Sequence, residues 1–197
     1  MKKSVLWLIG LLVAIPFISS CEETDGEIDL YTDWEERNQA YIDSIATVAR
    51  ANPAEWKVIH TYTYPESSTS IGVIDYDVNA YVYCKVVDEG NGVKPLYTDS
   101  VSVNYRGQLI PLYDGSKVVF DQSYQGELDK NVAVPVSFAV SGVIEGWTTA
   151  LQEMQEGARW EVYIPSDLGY GDYSSGSIPG HSTLCFDVHL SKVKTNR

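Results

Sequence analysis

V-I-E-G-W-T-T-A-L-Q-E-M, residues 143–154, places a glycine and then a tryptophan at the start of a short helix. Ile144, Trp147, Leu151 and Met154 recur at the spacing of one helical face, and Gly157 suits a C-terminal stop. Glycine weakens a helix interior and tryptophan is the bulkiest side chain, so the opening is poorly made as local structure. Glu145 alone suits it, because a carboxylate favours the positive end of a helix dipole. A helix this short does not stand alone in water and needs a sheet to cover.

The flanking segments supply that sheet. In S-V-S-V-N-Y-R (100–106), Val101, Val103 and Tyr105 share one face. In A-R-W-E-V-Y-I-P (158–165), Trp160, Val162 and Ile164 lie opposite Arg159, Glu161 and Tyr163. In T-L-C-F-D-V-H-L (183–190), Leu184, Phe186, Val188 and Leu190 alternate with Cys185, Asp187 and His189. A period of two describes strands with one buried and one wet face, hence an antiparallel sheet. One short helix across such a sheet makes the fold α+β.

Earlier in the chain, Thr32-Asp33-Trp34-Glu35 reads as a capping box with Thr32 as N-cap. Trp34, Tyr41, Ile45 and Val48 follow at helical spacing until Asn52-Pro53, giving a helix over 32–51. Its apolar face either packs on the domain or pairs with another copy, and the spacing leaves both open. Residues 56–64 and 71–87 read as strands separated by the turn-like P-E-S-S-T-S. The glycine-rich stretch 165–182 is a long loop carrying Tyr170, Tyr173 and Ile178, a length usually kept for function.

A chain of 197 residues, 44% hydrophobic, suits one ordinary core with an appended segment. Fourteen tyrosines and five tryptophans against four phenylalanines favour strands and aromatics that keep a polar edge. A net charge of −13 repels phosphate backbones, so no nucleic-acid partner is expected. Residues 1–20 read as a signal peptide, with Lys2 and Lys3 ahead of an apolar run too short to span a bilayer. I-S-S-C, ending at Cys21, resembles the lipobox of bacterial lipoproteins, in which the cysteine is lipidated. That resemblance implies membrane attachment through Cys21. The acidic residues 21–31 then form a solvated tether. Cys84 and Cys185 sit in strand-like runs without diagnostic spacing; free thiols are the default, and a pairing stays open in an oxidising compartment.

Familiar catalytic machinery is missing from the pattern. His60, His181 and His189 are widely separated and form no metal-ligand motif, and no nucleophile elbow or phosphate-cradling loop occurs. No metal or cofactor is expected. Tyr105, Phe120, Phe138, Val143, Ile144, Trp147, Tyr170 and Phe186 fall on inner faces or their edges, and a plain core accounts for most of them. Asp121, directly after Phe120, and Tyr170, between two glycines, are harder to place in a core. A carboxylate and a phenol beside an aromatic bowl describe a peptide- or ligand-binding pocket, with catalysis left open.

Taken together the motifs resemble the FKBP-type peptidyl-prolyl isomerases. V-S-V-N-Y-R-G (101–107), V-F-D-Q-S-Y-Q-G (119–126), P-V-S-F-A-V-S-G-V-I-E-G-W-T-T-A-L-Q-E-M (135–154), I-P-S-D-L-G-Y-G (164–171) and I-P-G-H-S-T-L-C-F-D-V-H-L (178–190) occur in the family's order. The resemblance implies a bent antiparallel sheet wrapped around one short helix over 83–194, preceded by a helix-and-strand extension over 32–82. It implies that Trp147 is the floor on which a substrate proline rests. Tyr105, Phe120, Val143, Ile144 and Phe186 would be walls, with Val136 and Ile178 also contacting substrate. The Ile144 N–H and the Tyr170 hydroxyl would donate to substrate carbonyls, and Asp121 would lie beside the reacting amide. Proline-containing polypeptides are the implied clients and macrolides the implied inhibitors.

The chain also departs from the family pattern. L-I-P-L-Y-D-G-S-K-V-V (109–119) is longer than the compact version, Val136 replaces a second aromatic wall, and Gly142 and Pro179-Gly180 replace an acid and a Pro-Pro pair. Two functions follow: a lipid-anchored isomerase for exported proteins, or a binding module that holds peptides without turnover.

Overall fold

The computed structural model describes residues 29–63 and 77–195. Seven strands form one sheet: β1 (Trp56–His60), β2 (Tyr81–Asp88), β3 (Ser100–Leu109), β4 (Val119–Gln122), β5 (Val136–Ala139), β6 (Arg159–Ile164) and β7 (Leu184–Lys194). Their order is β1-β2-β6-β7-β3-β4, with β5 also on β3, and every pairing is antiparallel. Register shifts in β2 at Val86/Asp88 and in β3 at Ser102/Val103 and Gly107/Gln108 mark irregularities of the kind that bend a sheet. Two α-helices, α1 (Trp34–Ala51) and α2 (Glu145–Glu153), cover its two faces.

The period of two in β6 and β7 places side chains as the pattern required. Trp160, Val162 and Ile164 are buried, as are Leu184, Phe186, Val188 and Leu190. These residues form the principal core with Trp147, Leu151 and Met154 from α2. In β3 the alternation predicts the wrong environment for one face. Ser102 and Asn104, expected to be wet, are buried, because the segment after β4 crosses this side of the sheet. Ser102 Oγ lies 3.1 Å from Ser137 Oγ, and Asn104 Oδ1 lies 3.5 Å from His189 Nδ1, while Asn104 Nδ2 is buried without a partner among the described residues.

Helix α2 is buried over most of its circumference, and this explains Gly146. A Cβ at that position would run into the Ile164 side chain, with Cδ1 and Cγ1 each 2.9 Å away. The glycine is therefore a close approach of helix to strand rather than a turn residue.

Helix α1 differs from its expected form in two respects. It starts at Trp34 after Asp33, whose left-handed backbone (φ 52°) carries no side-chain cap; the Thr32 hydroxyl instead donates to Asp29 O. No capping box forms. The buried row is Trp34, Asn38, Ile42, Ala46 and Ala49, while Val48 is exposed. The helix packs against Trp56, Tyr83 and Tyr163 on the sheet's outer face, where small alanines permit a close seat. Apolarity alone favours the larger Tyr41, Ile45 and Val48, which lie to the side. Of the two options left open by the sequence, packing on the domain is the one seen.

Strands β1 and β2 pair in continuous register and continue into β6, so the boundary expected between residues 82 and 83 falls inside β2. Of the strands expected over 56–64 and 71–87, the described residues show Trp56–His60 and Tyr81–Asp88, with a 3-10 turn at Val78–Ala80 where strand was expected. Residues 64 and 71–76, like the turn at 65–70, lie outside the described residues. Cys84 and Cys185 are free thiols on opposite faces of the sheet. Cys84 shares the register row of Val162 and Phe186, while Cys185 shares that of Tyr163 and meets Tyr41. Burial pushes the Cys185 thiol up to about 12.

Replacing Gly146 with alanine is expected to destabilise the fold by about 1–3 kcal/mol through overpacking against Ile164. Urea denaturation tests this; an unchanged midpoint would refute the close-approach account.

Candidate functional site

A cavity of about 720 Å³ opens over α2 on the inner face of the sheet. Its base is the Trp147 indole, only 5% exposed. Three rings stand nearly perpendicular to that indole: Tyr105 at 5.3 Å, Phe186 at 5.2 Å and Phe138 at 5.9 Å between centroids. Phe120 meets Phe186 edge-on at 5.5 Å, completing a wall. Edge-to-face pairs add to burial energy and fix ring orientation. β3 supplies Tyr105, β4 Phe120 and Asp121, β5 Phe138, and β7 Phe186, so four strands converge on one helix.

This packing requires Gly107 on β3. A Cβ there would lie 2.5 Å from Phe120 Cε2 and 2.7 Å from Phe186 Cε1, where the two rings meet. The glycine makes room for the wall.

Polar groups stand among the rings, from Tyr105, Asp121, Tyr170, Ser175 and Ser177. The Tyr105 hydroxyl donates to Asp121 Oδ2 at 2.7 Å. Burial, then the bond to Asp121 and its charge, hold the phenol well above its ordinary pKa, so Tyr105 stays a donor. Ile144, the N-cap of α2, lines the cavity, and its N–H has no backbone acceptor among the described residues. Tyr170 lies on the opposite rim, partly exposed, and its hydroxyl has no hydrogen-bond partner among the described residues. Ile178 is buried at the same rim, where its backbone exchanges hydrogen bonds with Ser175 (2.9 and 3.0 Å).

The comparisons with known proteins agree with this geometry. A family model described as FKBP-type peptidyl-prolyl cis-trans isomerase matches residues 92–191, half of the chain. The chain belongs to that family. It is 45% identical to "Outer membrane protein MIP" of Legionella longbeachae, over 56% of this chain and 43% of that one. It is 44% identical to the FKBP-type 22 kDa peptidyl-prolyl cis-trans isomerase of Escherichia coli (strain K12), over 55% of this chain and 48% of that one. The chain thus spans just under half the length of these curated relatives. Among solved structures, FkpA from Escherichia coli superposes with a TM-score of 0.54 at 31% identity, covering 84% of this chain and 65% of that one. A peptidyl-prolyl cis-trans isomerase from Pseudomonas syringae pv. tomato gives 0.55 at 29% identity, covering 81% and 96%.

In this FKBP-type chain, Tyr105, Phe120, Asp121, Val143, Ile144, Trp147, Tyr170, Ile178 and Phe186 all border one cavity. Val136 does not. It is 39% exposed near the start of β5, and Phe138, two residues on, supplies the ring instead. The wall expected to be missing at Val136 is therefore present. Phe138 is legible in the sequence as an inner-face aromatic, but its role depends on how far β5 runs along β3. Ser175, Gly176 and Ser177 also line the bowl; the sequence marks the loop that carries them but not these residues individually. Cys21 lies outside the described residues.

The rim loop is held from behind by α1. Trp34 Nε1 donates to Ser182 Oγ at 3.0 Å, and Asn38 Oδ1 accepts from Thr183 N at 2.8 Å. The longer connection after β3 docks the same helix and the residues just ahead of it: Arg37 donates to Pro111 O, and Tyr113 N donates to Leu30 O. On the outer face, Asp187 accepts from Arg159 Nε (2.9 Å) and Nη2 (2.6 Å) and from the Tyr124 hydroxyl (2.8 Å). This cluster ties down the segment that follows Asp121.

Burial raises the Asp187 carboxyl, but its bonds from Arg159 and Tyr124 outweigh that, leaving it below its ordinary value of 3.8. A depressed carboxylate stabilises the fold above its unfolded pKa and loses that contribution as pH falls through the folded one. The stability gap between wild type and Asp187→Asn should therefore be widest near neutrality and narrow below pH 3.8. Denaturant titrations across that range check this, and a gap constant down to acid pH would contradict it.

Proposed function

We propose that the protein catalyses cis-trans isomerisation of X-Pro bonds in exported polypeptides. The observation that carries this reading is the aromatic bowl floored by Trp147, with the Tyr105–Asp121 pair at its wall and Tyr170, Ser175 and Ser177 around it. The X-Pro bond resists rotation by about 20 kcal/mol because resonance gives C–N partial double-bond character. That resonance places charge on oxygen and nitrogen. Moving the amide from water into an apolar bowl disfavours the planar, charge-separated form relative to the twisted one. The proline ring fits against the indole face, leaving the preceding residue free to rotate. The Ile144 N–H and the Tyr170 hydroxyl are placed to hold the flanking carbonyls, which supplies orientation. Asp121, fixed by the Tyr105 hydroxyl, presents a carboxylate beside the rotating amide. Each step favours the twisted state over both planar ones, the requirement for lowering a barrier.

We read residues 1–20 as a removed leader, Cys21 as a lipid-bearing N-terminus and 21–31 as the tether that holds the domain off a membrane. The I-S-S-C motif and the printed name of the Legionella relative support this. Among the described residues no helix is long and apolar enough to cross a membrane. Polypeptides bearing exposed proline are the proposed clients, and macrolides able to fill the same bowl the proposed inhibitors. The extension over 32–82 and the domain over 83–194 are read as one working unit, because β2 spans their border.

A protease-coupled assay on a proline tetrapeptide should show isomerisation well above the uncatalysed rate. Asp121→Ala and Trp147→Leu should each lower kcat/KM at least about tenfold, a loss of ~1.4 kcal/mol in transition-state binding. Peptide binding with no turnover would sink the enzyme reading in favour of a holding module. Cys21→Ser should release the protein from cell membranes into the soluble fraction; continued membrane association would count against the lipid anchor.

A further inference from the structure

Thr61 and Thr63 follow β1, well before the family-matched residues 92–191. Thr61 is buried, and its N–H donates to Ala80 O at 3.0 Å, which ties it to the start of β2. Its hydroxyl donates to Glu145 Oε1, and the Thr63 hydroxyl donates to the same oxygen. Two donors from the sheet edge thus converge on the first residue of α2. Glu145 stands between Ile144 and Trp147, which both line the cavity, and does not line it itself. The first turn has no side-chain cap hydrogen bond, its N-cap being the apolar Ile144. An uncapped helix start frays, and its N–H groups move with it.

We propose that Thr61 and Thr63 are positioning residues for isomerisation, acting through Glu145 to fix the Ile144 N–H and the Trp147 floor. The inference rests on the isomerase reading above. Hydrogen bonds to a carboxylate are among the stronger ones, and Thr61 is held directly after the last paired residue of β1 by its own N–H bond to Ala80 O. A donor displaced by a fraction of an ångström from a twisted amide loses much of its selectivity for that state. The edge strands outside the matched region therefore complete the site rather than decorate it. Tyr62, between the two threonines, keeps its ring against Tyr97 at 5.7 Å and leaves both hydroxyls directed at α2.

The test compares Thr61→Val/Thr63→Val, which keeps side-chain shape and removes both hydroxyls, with Thr61→Ser/Thr63→Ser, which keeps the hydroxyls. Isomerisation is read per folded molecule, and the Ile144 amide is followed by NMR. The valine pair should lower kcat/KM roughly five- to tenfold, mainly in kcat, and move the Ile144 resonance. The serine pair should stay within about twofold of wild type with the resonance in place. A valine pair that matches wild type per folded molecule would overturn the inference and leave the isomerase reading intact. A serine pair as impaired as the valine pair would also overturn it, because shape rather than hydrogen bonding would then be responsible. If wild type itself shows no catalysis, the isomerase reading falls and this inference falls with it.

Discussion

Burial of one indole, Trp147, is the constraint on which the rest of the molecule depends. Its ring is nearly enclosed, yet its position also defines the base of an open bowl. Three aromatic side chains from three strands stand edge-on around it, so the sheet's neighbours and the pocket's walls are the same residues. Two glycines make this possible by absence. Gly146 lets the helix reach Ile164, and Gly107 clears the space in which Phe120 meets Phe186. Core and site share atoms here, so the packing that holds the fold together also preorganises the pocket.

Around that centre, the segments ahead of the family-matched region act as supports. Helix α1 grips the rim loop through Trp34 and Asn38, while Arg37 and Leu30 meet the lengthened connection after β3. The extra residues of that connection are thus a docking point rather than slack. The outer face carries its own brace, with Arg159, Tyr124 and Asp187 joined in one hydrogen-bonded cluster. An open bowl loses part of its wall to solvent, and bracing from behind offsets that loss.

Much of the site is legible in the amino-acid sequence. Asp121 stands out because a carboxylate follows an aromatic in a strand, and Tyr170 because a large ring sits between two glycines. Both border the cavity, and Asp121 meets Tyr105 as a hydrogen-bonded pair. What periodicity misses is of a different kind. Val136 and Phe138 share a strand face, so alternation does not say which of them reaches the bowl. A stripe through Trp34, Tyr41, Ile45 and Val48 of α1 meets the buried row only at Trp34, because Asn38, Ile42, Ala46 and Ala49 form the rest of the face that seats on the sheet. Alternation also makes Ser102 and Asn104 wet, and a crossing segment buries them.

The division has a physical basis. Side-chain direction along a strand or helix follows from local backbone geometry, so periodicity alone determined the α+β class, the inner faces of β6 and β7, and the short helix bearing V-I-E-G-W. Contacts between segments follow instead from which elements become neighbours and how far each slides along the next. The bond from Thr61 to Glu145 joins residues 84 apart in the chain, and that from Trp34 to Ser182 joins residues 148 apart. No local pattern encodes such a meeting. Tertiary packing decided it, by closing β1 and β2 onto one edge of the sheet and laying α1 against its outer face.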